Sequence, residues 1–325
     1  MKNKKLLVML LLVFLVGCSS DKDLQNKKDT VKNKPTLTIY DDSGEKEELE
    51  IKKDPERVVV LGEALVDYMD YFGLKDKIVG VGYLDSGDSV KKDSLKGLNV
   101  LTTMWPSKEV VLSLKPDLVY SMSSGFKDDR SGSLEFYKSN DIMALPAINF
   151  TTGRSLQQYY DDLDNFKKIF KIENEVDEFL NKEKEKINSS LESVKKHDEK
   201  VLFISRSSNK DFYCPKEGVL ISEIIEDFGY EYQEISKDSY IELSDEIIIK
   251  NNPDKIIVSE FQSKDPDSLV KSLLDNKNLK DIKAIKNKEV FSIDYTSAVR
   301  GEIELSNTYK TLSTFLNGGA SVEKN

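Results

Sequence analysis

Two fifteen-residue stretches, SKEVVLSLKPDLVYS from Ser107 and SDEIIIKNNPDKIIV from Ser244, repeat one pattern at an offset of 137 residues. Serine, glutamate, proline and aspartate recur in the same places: Ser107 and Ser244, Glu109 and Glu246, Pro116 and Pro253, Asp117 and Asp254. Aliphatic residues follow the glutamate both times. Serine is a good helix N-cap, and an acid in the first turn suits the helix dipole. Proline then stops the helix, and the apolar run after Pro-Asp suits a buried strand. Helix, turn, strand and polar loop make half of a parallel α/β unit. A chain that contains this unit twice is constrained to two similar α/β bodies.

The echo extends upstream. VVVLGEALVDYMDYFGL and VLFISRSS…GVLISEIIEDFGY both run strand, loop, helix and Phe-Gly. KIVGVG adds another short strand to the first body. Before it, TLTIYDD and EKEELEIKK flank Ser43-Gly44 and predict a β-hairpin. Between the bodies, Leu156, Tyr159, Leu163, Phe166 and Phe170 keep a 3.6 period, as do Val176, Phe179, Leu180, Ile187, Leu191 and Val194. The expected fold is α/β: two Rossmann-like lobes with central parallel sheets, joined by one long rigid α-helix, with a ligand cleft between the lobes. Loops at strand ends open into such clefts.

The N-terminus sets the compartment. MKNKK is basic, LLVMLLLVFLV is apolar and GCSS follows. The apolar run is too short for an ordinary transmembrane helix and fits a secretory signal. Leu15-Val16-Gly17-Cys18 resembles a lipobox, in which the cysteine is lipidated; the plainer alternative is a signal peptide with a chance cysteine. With Cys18 so used, Cys214 is left alone, which excludes an internal disulfide or a cysteine-based metal site. The next residues, SSDKDLQNKKDTVKNKP, are polar and aperiodic. They are expected to form a disordered tether of roughly 20 Å r.m.s. reach. Without residues 1–17 the chain carries 45 basic and 58 acidic residues, which argues against nucleic acid and against docking on anionic lipid. The expected organisation is signal peptide 1–17, lipidated tether 18–35, N-terminal lobe 36–154, helical linker 155–198 and C-terminal lobe 199–325.

DPERVVVLGEALVDYMDYFGLKDKIVGVGY, SKEVVLSLKPDLVYS and NPDKIIVSE resemble the substrate-binding lipoproteins of ABC importers for iron-siderophore, haem and cobalamin. The resemblance runs from about Pro35 to Leu316. It implies two α/β lobes, a rigid connecting helix, and delivery of cargo to a membrane permease driven by an ATPase. It also implies that Glu109 and Glu246, each seven residues before its proline, dock onto permease arginines. Two carboxylates on opposite lobes would give a two-point electrostatic registration. The alternative is that both are simply favourable first-turn acids.

In such a fold the cleft candidates are Glu63, Tyr83, Met104, Trp105, Ser123, Arg206, Tyr213, Glu260, Phe261, Tyr295 and Arg300. Trp105, the only tryptophan, is placed to stack on a flat ligand or to pack locally. Met104 matches the place where some haem-binding relatives present an axial methionine. Their second-lobe histidine is missing here, since the corresponding loop reads SEFQ, and His197 sits in KKHDEK at the end of the linker. Haem held by Met104 alone, or with a tyrosine, stays open. Arg206 and Arg300 suit an anionic ligand such as a ferric siderophore, or a salt bridge. Tyr213 and Tyr295 would add hydrogen bonds, and Cys214 reads as a small buried apolar residue.

The leading expectation is therefore a monomeric, membrane-anchored, extracytoplasmic solute-binding lipoprotein. It captures an iron chelate as cargo and needs no intrinsic cofactor or metal. Haem or cobalamin binding by the same fold, or a non-transport envelope scaffold or adhesin, are the alternatives. An enzyme finds no support: the chain has one histidine in a poor place, no nucleophile elbow and no phosphate-cradling glycine loop.

Overall fold

The computed structural model describes residues 35–86, 92–207, 211–263, 265 and 267–317. The expected signal peptide, Cys18 and the tether up to Lys34 lie outside the described residues. The hairpin forms as expected, with β1 (Thr36–Tyr40) antiparallel to β2 (Lys46–Glu50) and Leu37, Ile39 and Leu49 facing inward.

The first lobe holds β3 (Val58–Leu61), α1 (Glu63–Tyr71), β4 (Ile78–Gly82), β5 (Val100–Thr102), α2 (Lys108–Ser113), β6 (Leu118–Met122), α3 (Leu134–Ser139) and β7 (Met143–Ala147). Its five strands run parallel in the order β5-β4-β3-β6-β7. The central strands β3 and β6 are buried along their whole length. Parallel strands covered on both faces need such continuous apolar runs, which is why VVVL and LVYSM lack alternation.

The second lobe holds β8 (Lys200–Arg206), β9 (Asp211–Tyr213), α6 (Leu220–Asp227), β10 (Glu231–Tyr232), β11 (Tyr240–Glu242), α7 (Asp245–Asn251), β12 (Lys255–Glu260), α8 (Ser268–Leu274), α9 (Lys283–Lys286) and β13 (Val290–Ser292). The strand order is β11-β9-β8-β12-β13, with the short β10 also pairing β8. β8, β12, β13 and β10 are parallel, whereas β9 and β11 are antiparallel to their neighbours. The second lobe therefore repeats the first at β8 and β12 but divides the next slot, where the short crossover strand β10 pairs the start of β8 and the hairpin strand β9 pairs its end.

The repeated Pro-Asp has one structural job in both lobes. The Asp117 carboxylate accepts the backbone N–H groups of Glu56 and Arg57 at 3.0 to 3.1 Å, at the start of β3. The Asp254 carboxylate accepts Lys200 N–H at 3.0 Å, at the start of β8. Each aspartate thus caps the amide end of the adjacent central strand while its proline ends the preceding helix. The helix starts differ. Ser107 accepts from Val110 N–H at 3.4 Å as expected, but Ser244 makes no such bond to the backbone of α7. The Phe-Gly echo is geometric: Gly73 and Gly229 follow α1 and α6 at φ of 70° and 80°. At Gly229 a Cβ would meet Lys195 O at 2.2 Å, so glycine is required there twice over.

The connector is helical but is not one helix. It consists of α4 (Leu156–Phe170) and α5 (Glu173–Leu191), separated by Lys171 in the left-handed region at φ 57°. The break turns α5 back so that Phe179 meets Phe72 edge-to-face at 5.5 Å, beside Phe166 of α4. A straight continuation would carry the apolar stripe of α5 away from this aromatic cluster. After β13 comes a single π-helical turn (Thr296–Arg300), and then α10 (Leu305–Leu316) packs along α5. No described helix is long and apolar enough to cross a membrane.

Candidate functional site

The two sheets present the carboxyl ends of their strands to each other, and the residues there are mostly aromatic. Trp105 and Tyr83 of the first lobe stack with ring centroids 3.9 Å apart. Tyr83 lies 6.0 Å from Phe261 of the second lobe, and Phe261 lies 5.2 Å from Tyr295. Aromatic contact therefore crosses from lobe to lobe without a gap. Tyr83 reaches this position through a left-handed backbone at φ 57°. Gly125 makes room for the indole, since a Cβ there would lie 2.7 Å from Trp105 Cζ3. A second set, Phe150, Tyr213 and Tyr240, continues the wall with centroid distances of 6.1 and 5.2 Å.

Polar contacts lock the same interface. Arg300 Nη2 lies 3.1 Å from Asp85 Oδ1, and its Nε lies 3.2 Å from the same oxygen. Thr296, one π-turn earlier, donates to Asp85 Oδ2 at 3.3 Å. A π-turn is a common device at functional sites, and here it puts both side chains on one carboxylate. Gln262 N–H donates to Asp85 O at 2.9 Å, and its Nε2 to Leu84 O at 3.0 Å. The guanidinium of Arg300 lies 4.5 Å from the Phe150 centroid and 5.0 Å from that of Tyr295, so aromatic faces complete its surroundings.

These contacts decide the fate of the sequence candidates. Arg300 is buried and paired with Asp85. Arg206 and Glu260, both candidates, are spent on each other: Nε to Oε1 is 2.9 Å and Nη2 to Oε2 is 2.7 Å, with Ser268 at 2.9 Å from Nη2. They face each other because β8 and β12 pair Arg206 with Glu260 in register. The salt-bridge alternative thus describes both arginines. Glu63 is fully buried; its Oε2 accepts Ser86 N–H at 2.9 Å, and Lys92 Nζ lies 3.0 Å from Oε1. Ser123 is buried and donates to Ala147 O at 3.3 Å. Tyr83, Trp105, Phe261 and Tyr295 are brought together, and Tyr213 joins the neighbouring aromatic set.

Met104 is half exposed, with its sulfur 3.8 Å from Gln262 Nε2. His197 stacks on Tyr230 at 4.2 Å, at the end of the connector. Burial raises the Tyr213 and Tyr295 hydroxyls well above the usual tyrosine range. Burial likewise pushes the Cys214 thiol up to about 12, in keeping with a small apolar role. Glu109 and Glu246 are exposed at matching places on α2 and α7. Both carboxyls titrate below the usual range. For Glu109 the main cause is its own backbone N–H, then Ser107; for Glu246 it is the Ser244 hydroxyl, then its own N–H.

Several wall residues were missed in the sequence: Asp85, Arg130, Phe150, Tyr240 and Gln262. The rarity of arginine was a usable signal for Arg130, and Tyr240 stands as an isolated aromatic in SKDSYIE. Nothing local marks Asp85. A cavity of about 1140 Å³ lies elsewhere, between the β1–β2 hairpin, the end of β7 and α4. The candidate site is the lobe interface, where described strand ends and loops from both sheets converge.

Two parallel-sheet lobes meeting at the carboxyl ends of their strands, with two helices between, define a bilobal binding protein. The chain belongs to the periplasmic binding protein family, whose profile matches residues 58–296. It is 24% identical to the uncharacterised ABC transporter substrate-binding lipoprotein YvrC of Bacillus subtilis (strain 168), over 88% of both chains. It is 29% identical to the Fe(3+)-citrate-binding protein YfmC of the same organism, over 90% of both. The crystal structure of a periplasmic binding protein from Veillonella parvula DSM 2008 superposes with a TM-score of 0.70 at 19% identity, covering 87% of this chain and 92% of that one.

Removing one partner of the buried lobe-to-lobe pair leaves an uncompensated charge. Asp85→Ala is expected to lower unfolding free energy by about 3–5 kcal/mol. Arg300→Met in the same chain should recover much of that loss. Urea unfolding of the two single variants and the double variant gives the coupling, and additive losses would show that the pair does not tie the lobes.

Proposed function

We propose that this chain is the extracytoplasmic solute-binding component of an ABC importer, capturing a ferric chelate between its lobes and delivering it to a membrane permease. The observation that carries the cargo class is the similarity to the Fe(3+)-citrate-binding relative along nine-tenths of both chains. The aromatic, part-polar interface suits a chelate, whose organic shell is largely apolar while its oxygen donors need hydrogen bonds. Lobes 36–154 and 199–325 are the bodies that open and close, with 155–198 as their connector. The protein works as a monomer, is anchored through Cys18, and binds without catalysis. The buried, protonated Cys214 thiol supplies no nucleophile.

Trp105 is the only tryptophan and sits in the wall, so its emission reports occupancy. The full-length chain in detergent is titrated with ferric citrate, a ferric hydroxamate, haemin and cobalamin, with N-acetyltryptophanamide correcting for absorption. Saturable quenching by a ferric chelate is expected. Saturation by haemin or cobalamin alone, or by nothing, would sink the reading.

The anchor has its own test. Cys18→Ser should move the chain from the membrane fraction into the soluble extracytoplasmic fraction, and continued sedimentation with membranes would remove the lipid from the account.

Glu109 and Glu246 are proposed as the permease contacts, supported by their equivalent exposed positions on the two lobes. Each charge-assisted bond is worth about 1.5–3 kcal/mol. Replacing both by glutamine should reduce iron uptake by cells roughly tenfold or more while chelate affinity stays unchanged. Unaltered uptake would reduce both residues to helix-capping acids.

A further inference from the structure

Eight non-glycine residues among the described ones hold a positive φ. Lys115, Asp141, Lys171, Asn252 and Lys288 close helices, where that conformation is routine. Tyr83, Ile148 and Gln262 instead stand just past strand ends. Tyr83 at φ 57° and Gln262 at φ 52° belong to different lobes, and their loops meet at the interface. A left-handed backbone is costly for a residue with a side chain, and it persists where the surroundings enforce it, often at switch regions.

The second sheet presents Gln262 on a firm base. Phe261 N–H donates to Arg206 O at 2.9 Å, which extends the β8–β12 ladder by one bond, and the Arg206–Glu260 pair braces that end. From this base Gln262 crosses to the first lobe. Its backbone N–H donates to Asp85 O at 2.9 Å. Its Nε2 donates to Leu84 O at 3.0 Å and Thr103 O at 3.4 Å, with Met104 Sδ at 3.8 Å. Three acceptors around Nε2 fix which end of the carboxamide faces them. Leu84 and Asp85 follow β4 and Thr103 follows β5, so these carbonyls stand at the carboxyl ends of the first sheet. That is where an open α/β sheet meets its ligand. Backbone bonded directly to backbone leaves no room for a ligand between the lobes at this point.

We infer that Gln262 is a built-in competitor of the cargo. In the empty protein it latches the lobes together by occupying first-lobe carbonyls, and cargo binds only after displacing it. The inference rests on the iron-chelate reading above for its probe and on the lobe interface for its site. Apparent affinity is then the intrinsic affinity reduced by the fraction of molecules that are unlatched. Weakening the latch raises that fraction and so tightens binding. A contact that served only to complete the liganded state would do the opposite, since its loss would weaken binding. The sign of the change separates the two roles.

Two variants of the full-length chain in detergent make the test. Gln262→Gly removes the carboxamide and keeps the left-handed backbone, whereas Gln262→Pro also removes the N–H and cannot adopt φ 52°. A melting curve checks that each folds. Isothermal titration calorimetry reads binding of ferric citrate and of a ferric hydroxamate. Gln262→Gly should tighten the complex that the wild type binds by about threefold, and Gln262→Pro by roughly tenfold. Acrylamide quenching of Trp105 reads the empty protein without any cargo, and it should rise about twofold in Gln262→Pro. Unchanged or weaker binding in both variants overturns the inference and leaves the iron-chelate reading intact. If neither ferric complex binds any form of the protein, that reading falls and the quenching decides: a rise keeps the latch, and no change overturns it.

Discussion

Arg154 is the largest fully buried side chain, and the arrangement of the lobes depends on it. Its Nη1 lies 2.7 Å from Asp162 Oδ2, and its Nε donates to Arg300 O at 2.7 Å. Its own carbonyl accepts Leu220 N–H at the start of α6. Asp162 also accepts Ile148 N–H at 2.9 Å, just beyond β7. One guanidinium thus ties the second turn of the connector, and through Asp162 the end of the first sheet, to the π-turn of the second lobe. A buried charge survives only with such full pairing. Tyr68 and Tyr159 reinforce the joint by donating to Gly301 O at 3.1 Å and Ile303 O at 2.6 Å.

This joint reaches the cleft wall through one residue. Arg300 gives its carbonyl to Arg154 and its side chain to Asp85, so the connector's anchor also fixes the lobe-to-lobe ion pair. Around that pair the Trp105–Tyr83–Phe261 stack and the Gln262 bonds hold the lobes together. The structure is therefore a closed arrangement, in which the two lobes touch across these contacts. If the proposed cargo binds between them, its entry would be a population shift, limited by how much better cargo binds one state than the other. Two helices packed on both lobes leave little travel for a hinge.

The fold was legible in the sequence because its determinants are local. The proline and aspartate of each repeat, and the serine of the first, act within one helix, one turn and the neighbouring strand end. The site was legible only by position: loops after strands were assigned to the cleft, and the aromatic ones meet there. The partners were not legible. Asp85 and Arg300 are 215 residues apart, and Arg206 and Glu260 are 54 apart. Knowing that two parallel strands are neighbours does not give their register, and register alone makes Glu260 the partner of Arg206. The break at Lys171 escaped for a related reason. Both helices keep the same apolar period, and only the packing of Phe179 on Phe72 requires the turn between them.

The duplication is most informative where it fails. In the first lobe the strand beside β3 is β4, parallel and reached through α1; in the second, the equivalent strand β10 is only two residues long, and the end of β8 pairs instead with β9, antiparallel and reached directly. That hairpin and its partner β11 bring Tyr213 and Tyr240 to the wall, in register with each other. The matching side of the first lobe offers Trp105 and, from the turn after β6, Arg130. Two bodies of the same plan thus bring different side chains to one interface, Tyr83 and Trp105 from the first lobe and Phe261, Tyr213 and Tyr240 from the second. A strictly symmetric pair would present like to like.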